Sequence, residues 1–259
     1  MSYRYIETVS LDRIQYITLN RPDKRNALNG EMVEELKDAL KGAADDNAVR
    51  IIILSANGKV FSAGADLAYL EQLQHNSYEE NLADSHRLME LYWQIYTHEK
   101  LIIAQVEGPA IAGGCGLAAV CDLCYAVPEA SFGYTEVHIG FIPALVCVFL
   151  ARKIGEGRTR ELLLTAALID ATEAARIGLI NAVADKEIIQ DVVKEKAAAL
   201  CTNTSPQSVA QTKQLLSAIP GMGLKEALEY AAVMNARARD TEDCRKGIKN
   251  FLDKGKLIW

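Results

Sequence analysis

No apolar run in this chain approaches the ~18 residues needed to span a bilayer, so no transmembrane helix is expected. The stretch from Met1 to Glu7 lacks the apolar core of a secretory signal and reads instead as a first strand. Clustered cations are missing too. Net charge is −6 with both signs mixed along the chain, which disfavours nucleic-acid binding. These absences lead to the expectation of a soluble, cytoplasmic protein with no membrane or nucleic-acid partner. Metal-ligand spacings are scarce. The six cysteines are scattered at Cys115, Cys121, Cys124, Cys147, Cys201 and Cys244. Cys121-x-x-Cys124 has no second Cys or His pair beside it, so buried free thiols are expected and no metal site.

What is present is enough apolar material for a sizeable core: 50% of the 259 residues are hydrophobic. Residues 13–20 read as a strand, and Arg21 to Asn26 as a polar turn. A helix follows from about Gly30, with Met32, Val33, Leu36 and Leu40 on one face. Strands are expected near 50–55 and 101–106, a long helix over 78–97, and short strands at 123–127 and 131–132. From about 145 the pattern is helical. Asp170 to Glu173 resembles a cap for a helix that Gly178 ends. Beyond about 186 only helices are expected, over 186–200, 206–219, 223–239 and 242–253. The chain therefore divides into a mixed α/β body, residues 1–195, and a helical C-terminal region, residues 196–259. Alternating strands and helices suggest stacked strand–strand–helix units.

Two glycine-rich segments follow strand-like runs. Phe61-Ser62-Ala63-Gly64-Ala65-Asp66-Leu67 follows Ile51 to Leu54, and Gly108 to Leu117 follows Leu101 to Ala104. Each reads as a strand feeding a tight turn and then a helix. Such turns present backbone N–H groups with few side chains in the way. Two of them brought together would aim two donors at one oxygen, as an oxyanion hole does. Gly114-Cys115-Gly116-Leu117-Ala118-Ala119 also matches a dinucleotide-binding fingerprint, G-x-G-x-x-A. The intervening segment from Gly108 to Ala112, and the lack of an acid at the end of the next strand, weigh against that reading.

Taken in order, the segments Leu19–Asn29, Phe61–Leu67, Gly108–Leu123, Phe132–Pro143 and Thr241–Lys254 resemble the motifs of the crotonase family, the enoyl-CoA hydratases and isomerases. The resemblance implies a crotonase-like α/β spiral of strand–strand–helix units with a helical trimerisation tail. It implies a homotrimer or dimer of trimers, and an acyl-CoA thioester as substrate. Coenzyme A would arrive as part of that substrate, with no separate cofactor. The Ala65 and Gly113 N–H groups would bind the thioester oxygen. Lys24 and Arg25 would lie near the nucleotide, and Ala27 with Ala63, Asp66, Leu67 and Ala68 would line the pantetheine and adenine path. Phe251 and Lys254 match positions that touch the adenine end, sometimes from a neighbouring subunit.

The hydratases carry two glutamates that hold one water. The corresponding positions here are Gly116 and Glu136, so only the second is present. One glutamate can move a proton between two carbons, which is the isomerase task; hydration would need a substitute to orient water. Asp66, Glu71, Tyr134 and His86 are candidates for that substitute, although Asp66 is also placed to cap a helix. The glycine-rich stretch usual after Ile142-Pro143 is replaced by Ala144-Leu145-Val146-Cys147, and Ala144 is expected to reshape the acyl pocket. Hydration, double-bond isomerisation and dehydration of a branched glutaryl-type thioester, on coenzyme A or an acyl carrier protein, remain open. So does a non-enzymatic role in CoA or RNA binding.

Overall fold

Apolar runs rich in Ile and Val form the strands, and capped amphipathic segments form the helices. The computed structural model describes residues 3–255 and 257–259. Its first half runs β1 (Ile6–Leu11), β2 (Ile14–Leu19), α1 (Gly30–Asp45), β3 (Ile51–Ala56), α2 (Leu67–Leu73), α3 (Tyr78–Thr97), β4 (Leu101–Val106), β5 (Ala110–Ile111), α4 (Gly113–Val120), β6 (Leu123–Ala126) and β7 (Ser131–Gly133). Then come α5 (Ala144–Thr165), β8 (Ile169–Asp170), α6 (Ala171–Arg176), β9 (Ala182–Val183), α7 (Ile189–Asn203), α8 (Pro206–Ala218), α9 (Leu224–Arg239) and α10 (Glu242–Leu252).

The expected N-terminal strand begins later than the sequence suggested. Met1 and Ser2 lie outside the described residues, and pairing starts at Ile6. The Arg4 and Tyr5 N–H groups are taken by the Glu35 carboxylate of α1, at 2.7 and 2.8 Å, which holds them out of the ladder.

Six strands form one sheet in the order β1-β2-β3-β4-β6-β9, and β5-β7-β8 form a second. Only β1 and β2 are antiparallel in the large sheet; the rest run parallel. Ile51 to Leu54 of β3 are all buried, as expected of a parallel strand covered on both faces. The α1 helix, N-capped by Asn29, buries Met32, Val33, Leu36 and Leu40 as its periodicity predicts. Each successive unit gives one strand to each ladder: β4 and β6 to the large sheet, β5 and β7 to the small one. Parallel bridges Leu28↔Ala65 and Ser62↔Ala110 extend the second ladder toward the first glycine turn. This is the strand–strand–helix spiral expected from the alternation of elements. The two-residue strands β8 and β9 were not expected, because a single pairing leaves no period-two pattern to read.

The boundary drawn between residues 195 and 196 falls inside α7. That helix buries Ile189, Val193, Ala197 and Cys201 and packs on β3, β4 and β6. The body therefore extends to Asn203, and Ser205 caps the start of the tail helices. Within the tail, α10 packs on α8 and α9, and α8 reaches α3. Lys213 of α8, buried, pairs with Asp122 at 2.6 Å. Among the described residues no helix is long and apolar enough to cross a membrane.

Candidate active site

Backbone pairing sets the first turn. The Leu28 N–H donates to Gly64 O (2.7 Å) and the Asp66 N–H to Leu28 O (2.9 Å). In a parallel bridge these flanking bonds leave the central residue's own N–H pointing away, so the Ala65 N–H is directed away from Leu28. Gly64 holds φ at +86°, and a Cβ there would lie 2.8 Å from Ala112 Cβ and 3.3 Å from Gly113 N. Only glycine satisfies both conditions. Asp66 then caps α2 through the Ala68 N–H (2.9 Å) and binds Arg21 at 2.6 Å. Burial works against its charge, but the Arg21 bond and the Tyr69 and Ala68 N–H groups outweigh it and hold the carboxyl below the usual range. Its carboxylate is committed to the fold.

The second turn abuts the first. Gly113 opens α4, so its N–H is among the donors a helix start leaves unpaired. A Cβ on Gly113 would come within 4.0 Å of Gly64 Cα. The two turns therefore meet at Gly64 and Gly113. The fingerprint glycines have other work. A Cβ on Gly114 would strike Ser62, and one on Gly116 would collide with Val146 Cγ1 and sit 3.1 Å from Tyr92 Oη. Both are packing glycines inside α4 rather than in the turn before it, where a dinucleotide fingerprint needs its first glycine, and this argues against that reading.

Glu136 begins a 3₁₀ turn, Glu136–Ile139, after β7. It is half-buried, and its Oε2 is enclosed with no hydrogen-bond partner. Burial raises its pKa above the ordinary glutamate value. Its charge in turn adds to the burial that pushes the Tyr92 and Tyr134 hydroxyls up. Of the four substitute candidates, Tyr134 is fully buried beside Cys115 with an unpartnered hydroxyl, whereas Glu71 and His86 are exposed. Ala144 is exposed at the start of α5. Val146, two residues on, occupies the space a residue-116 side chain would need. Tyr92 was missed as well, because in sequence it is one more aromatic in a long helix.

Lys24 and Arg25 are exposed on the turn beside the first glycine segment, and the Ala63 N–H donates to Arg25 O at 3.0 Å. A cleft of about 360 Å³ there is lined by Pro22, Arg25, Asn26, Gly58, Lys59 and Val60. Ala27 is buried next to it, while Leu67 and Ala68 lie exposed on α2. Phe251 and Lys254 are not brought to this region within one chain; they lie exposed at the end of the tail, where α10 packs on α8 and α9. The cysteines are free, with Cys147 and Cys244 half-buried and the other four buried. Burial pushes the Cys124 thiol up to about 12, so the Cys-x-x-Cys pair carries no ready thiolate.

The sequence pattern of the enoyl-CoA hydratase/isomerase family matches residues 11–259. The chain belongs to that family. A Thermus thermophilus protein with a provisional enoyl-CoA hydratase name is 44% identical over 95% of this chain and 97% of its own length. The crotonyl-CoA hydratase of Syntrophomonas wolfei is 34% identical over 99% and 98%. Among solved structures, Pseudomonas aeruginosa AtuE superposes with a TM-score of 0.92 at 32% identity, over 98% of each chain. The fold is that of the crotonases, and the protein is an acyl-CoA enzyme of the enoyl-CoA hydratase/isomerase type.

Proposed function

We propose that this enzyme acts through the enolate of an acyl-CoA thioester, with the Ala65 and Gly113 N–H groups on the enolate oxygen and Glu136 as the sole proton carrier. The observation that carries this reading is the enclosed, unpartnered Glu136 oxygen, on the turn that follows β7. An enolate oxygen holds more negative charge than a thioester carbonyl, so fixed donors stabilise the transition state more than the bound substrate. Each such donor is worth ~3 kcal/mol. The positive end of α4 adds to the effect at Gly113. A carboxyl with a raised pKa is suited to taking and returning a proton at carbon.

Water addition to a 2-enoyl thioester is the first reading, in line with the names of the relatives. Double-bond migration is the second, favoured by Val146 standing where another carboxylate would hold water. In deuterium oxide, hydration should place one deuterium on the α carbon, and a 3-hydroxyacyl product without it would sink the enolate; under migration an enclosed Glu136 can return the proton it took, so solvent deuterium need not enter. Supplying 2-enoyl-CoA and 3-enoyl-CoA separately then divides them: a 3-hydroxyacyl product marks hydration, and interconversion alone marks migration.

Lys24 and Arg25 hold the nucleotide end, and Ala27, Ala63, Leu67 and Ala68 line the path to it. Copies of the chain assemble through the tail, where Leu224, Leu228, Phe251 and Leu252 are 80%, 63%, 83% and 73% exposed. Such an assembly would let Phe251 and Lys254 serve a neighbour's site. Sedimentation of the purified protein as a monomer would refute it.

A further inference from the structure

Nothing so far explains what holds the Gly113 N–H in place. The peptide that carries it joins Ala112 to Gly113, and Ala112 has φ 52° and ψ −126°. That conformation is rare for a residue with a side chain and costs on the order of 1–3 kcal/mol, so its surroundings must enforce it. The peptide on one side is pinned by the Ala112 N–H, which donates to Gly133 O at 2.8 Å. The peptide on the other side is pinned by the Tyr92 hydroxyl, which donates to Gly113 O at 2.8 Å. Between two fixed neighbours, the central peptide has little freedom to turn. Ala112 O is held as well, by the Gly116 N–H at 3.0 Å.

Tyr92 is suited to this task. It is fully buried in α3, and its ring meets Phe149 of α5 edge-on, with centroids 6.1 Å apart. Its hydroxyl lies 3.3 Å from where a Gly113 Cβ would stand. Burial and the nearby Glu136 charge keep it protonated, so it remains a donor throughout the working pH range.

We propose that Tyr92 is a positioning residue whose hydroxyl, by holding the Gly113 carbonyl, aims the Gly113 N–H at the thioester oxygen. This rests on the role proposed above for Gly113, and the test separates the two. Butyryl-CoA labelled with carbon-13 at the thioester carbonyl serves as an unreactive probe, and the infrared stretch of its bound carbonyl is read. In the unaltered enzyme the stretch should fall below that of free butyryl-CoA. No fall would overturn the oxyanion role of Gly113, and this proposal with it. In Tyr92→Phe the fall should shrink, with kcat down about tenfold and KM within twofold, since small misplacement of a donor is felt mainly in the transition state. An unchanged fall and unchanged kcat in Tyr92→Phe would overturn the role of Tyr92 alone. Phe149→Leu loosens the packing of the ring but keeps the hydroxyl. It should lower the melting temperature and leave the carbonyl stretch as it was. If it reproduced the Tyr92→Phe spectrum, the effect would be packing and the proposal would fail.

Discussion

The two halves of the site proposed above are built differently. The donor half consists of backbone: Ala65 and Gly113 are set by a bridge to Leu28, a helix start and the close approach of Gly64. Neither position contributes a side chain of its own, and the one side-chain group proposed to act on a donor, the Tyr92 hydroxyl, does so by holding the Gly113 carbonyl. The acid–base half is a single side chain on a 3₁₀ turn. Its neighbours Val137, Ile139, Phe141 and Ile142 are 37%, 63%, 55% and 66% exposed. The contrast teaches where such a fold can change its reaction. The donor half must be preserved entire, whereas the acid–base half can be altered one side chain at a time.

The largest expected effect comes from breaking the weaker half. Glu136→Gln should lower turnover about 10³-fold, the range for losing a general acid–base group. Binding of butyryl-CoA should hardly change, because the donors and the nucleotide cleft are intact. Turnover at the original rate would take Glu136 out of the chemistry.

Next is an attempt to restore the missing carboxylate. Gly116→Glu places a side chain against Val146 and Tyr92 and should destabilise the fold by about 3 kcal/mol, through overpacking and a buried charge. Adding Val146→Gly should recover part of that loss, and a rise in hydration of 2-enoyl-CoA would accompany it. Equal stability of the single and double variants, read by urea unfolding, would show that Val146 is not the obstacle. This pair also marks how far the sequence could be read. The tight glycine turns are legible in local spacing, whereas Gly116 marks a departure from a two-glutamate pattern only because the chain resembles the crotonases. That Val146 fills the vacated space is a contact between α4 and α5, which no local pattern encodes. The sequence change at Ala144 drew attention to the start of α5, but helix phase decides that Val146 is the residue of this segment that faces Gly116. Tyr92 was illegible for the same reason, and so was the packing of α7 on the sheet, whose pattern alone could not separate it from the tail.

Within the donor half, Asp66→Asn keeps a side chain able to cap α2 but gives up the charge facing Arg21. A loss of about 2 kcal/mol is expected, as for a charged hydrogen bond with limited exposure. Turnover of the folded variant should stay within a few-fold, since the bridge to Leu28 still sets the Ala65 N–H. A large loss of turnover without loss of stability would mean that Asp66 touches substrate, and the division between the halves would blur.

The smallest effect is the sharpest in sign. Burial raises the Glu136 pKa above its unfolded value, whereas Arg21 and two backbone N–H groups, outweighing burial, lower that of Asp66. A raised carboxyl favours folding fully only below its unfolded pKa, and that contribution is lost as pH climbs through the folded value. A lowered one does the reverse: its contribution is present above the unfolded pKa and fades as pH falls through the folded value. Glu136→Gln should therefore melt higher than the unaltered enzyme at neutral pH, with the gain vanishing in acid, while Asp66→Asn should melt lower at neutral pH and converge with it in acid. The same rise in pKa predicts that turnover falls as pH drops through the folded Glu136 value, because the proton must be taken by the carboxylate form. Melting curves across pH decide the matter. If Glu136→Gln were the less stable protein at neutral pH, the carboxylate would have to be held by partners in the fold, and the acid–base half would be structural rather than poised for a proton.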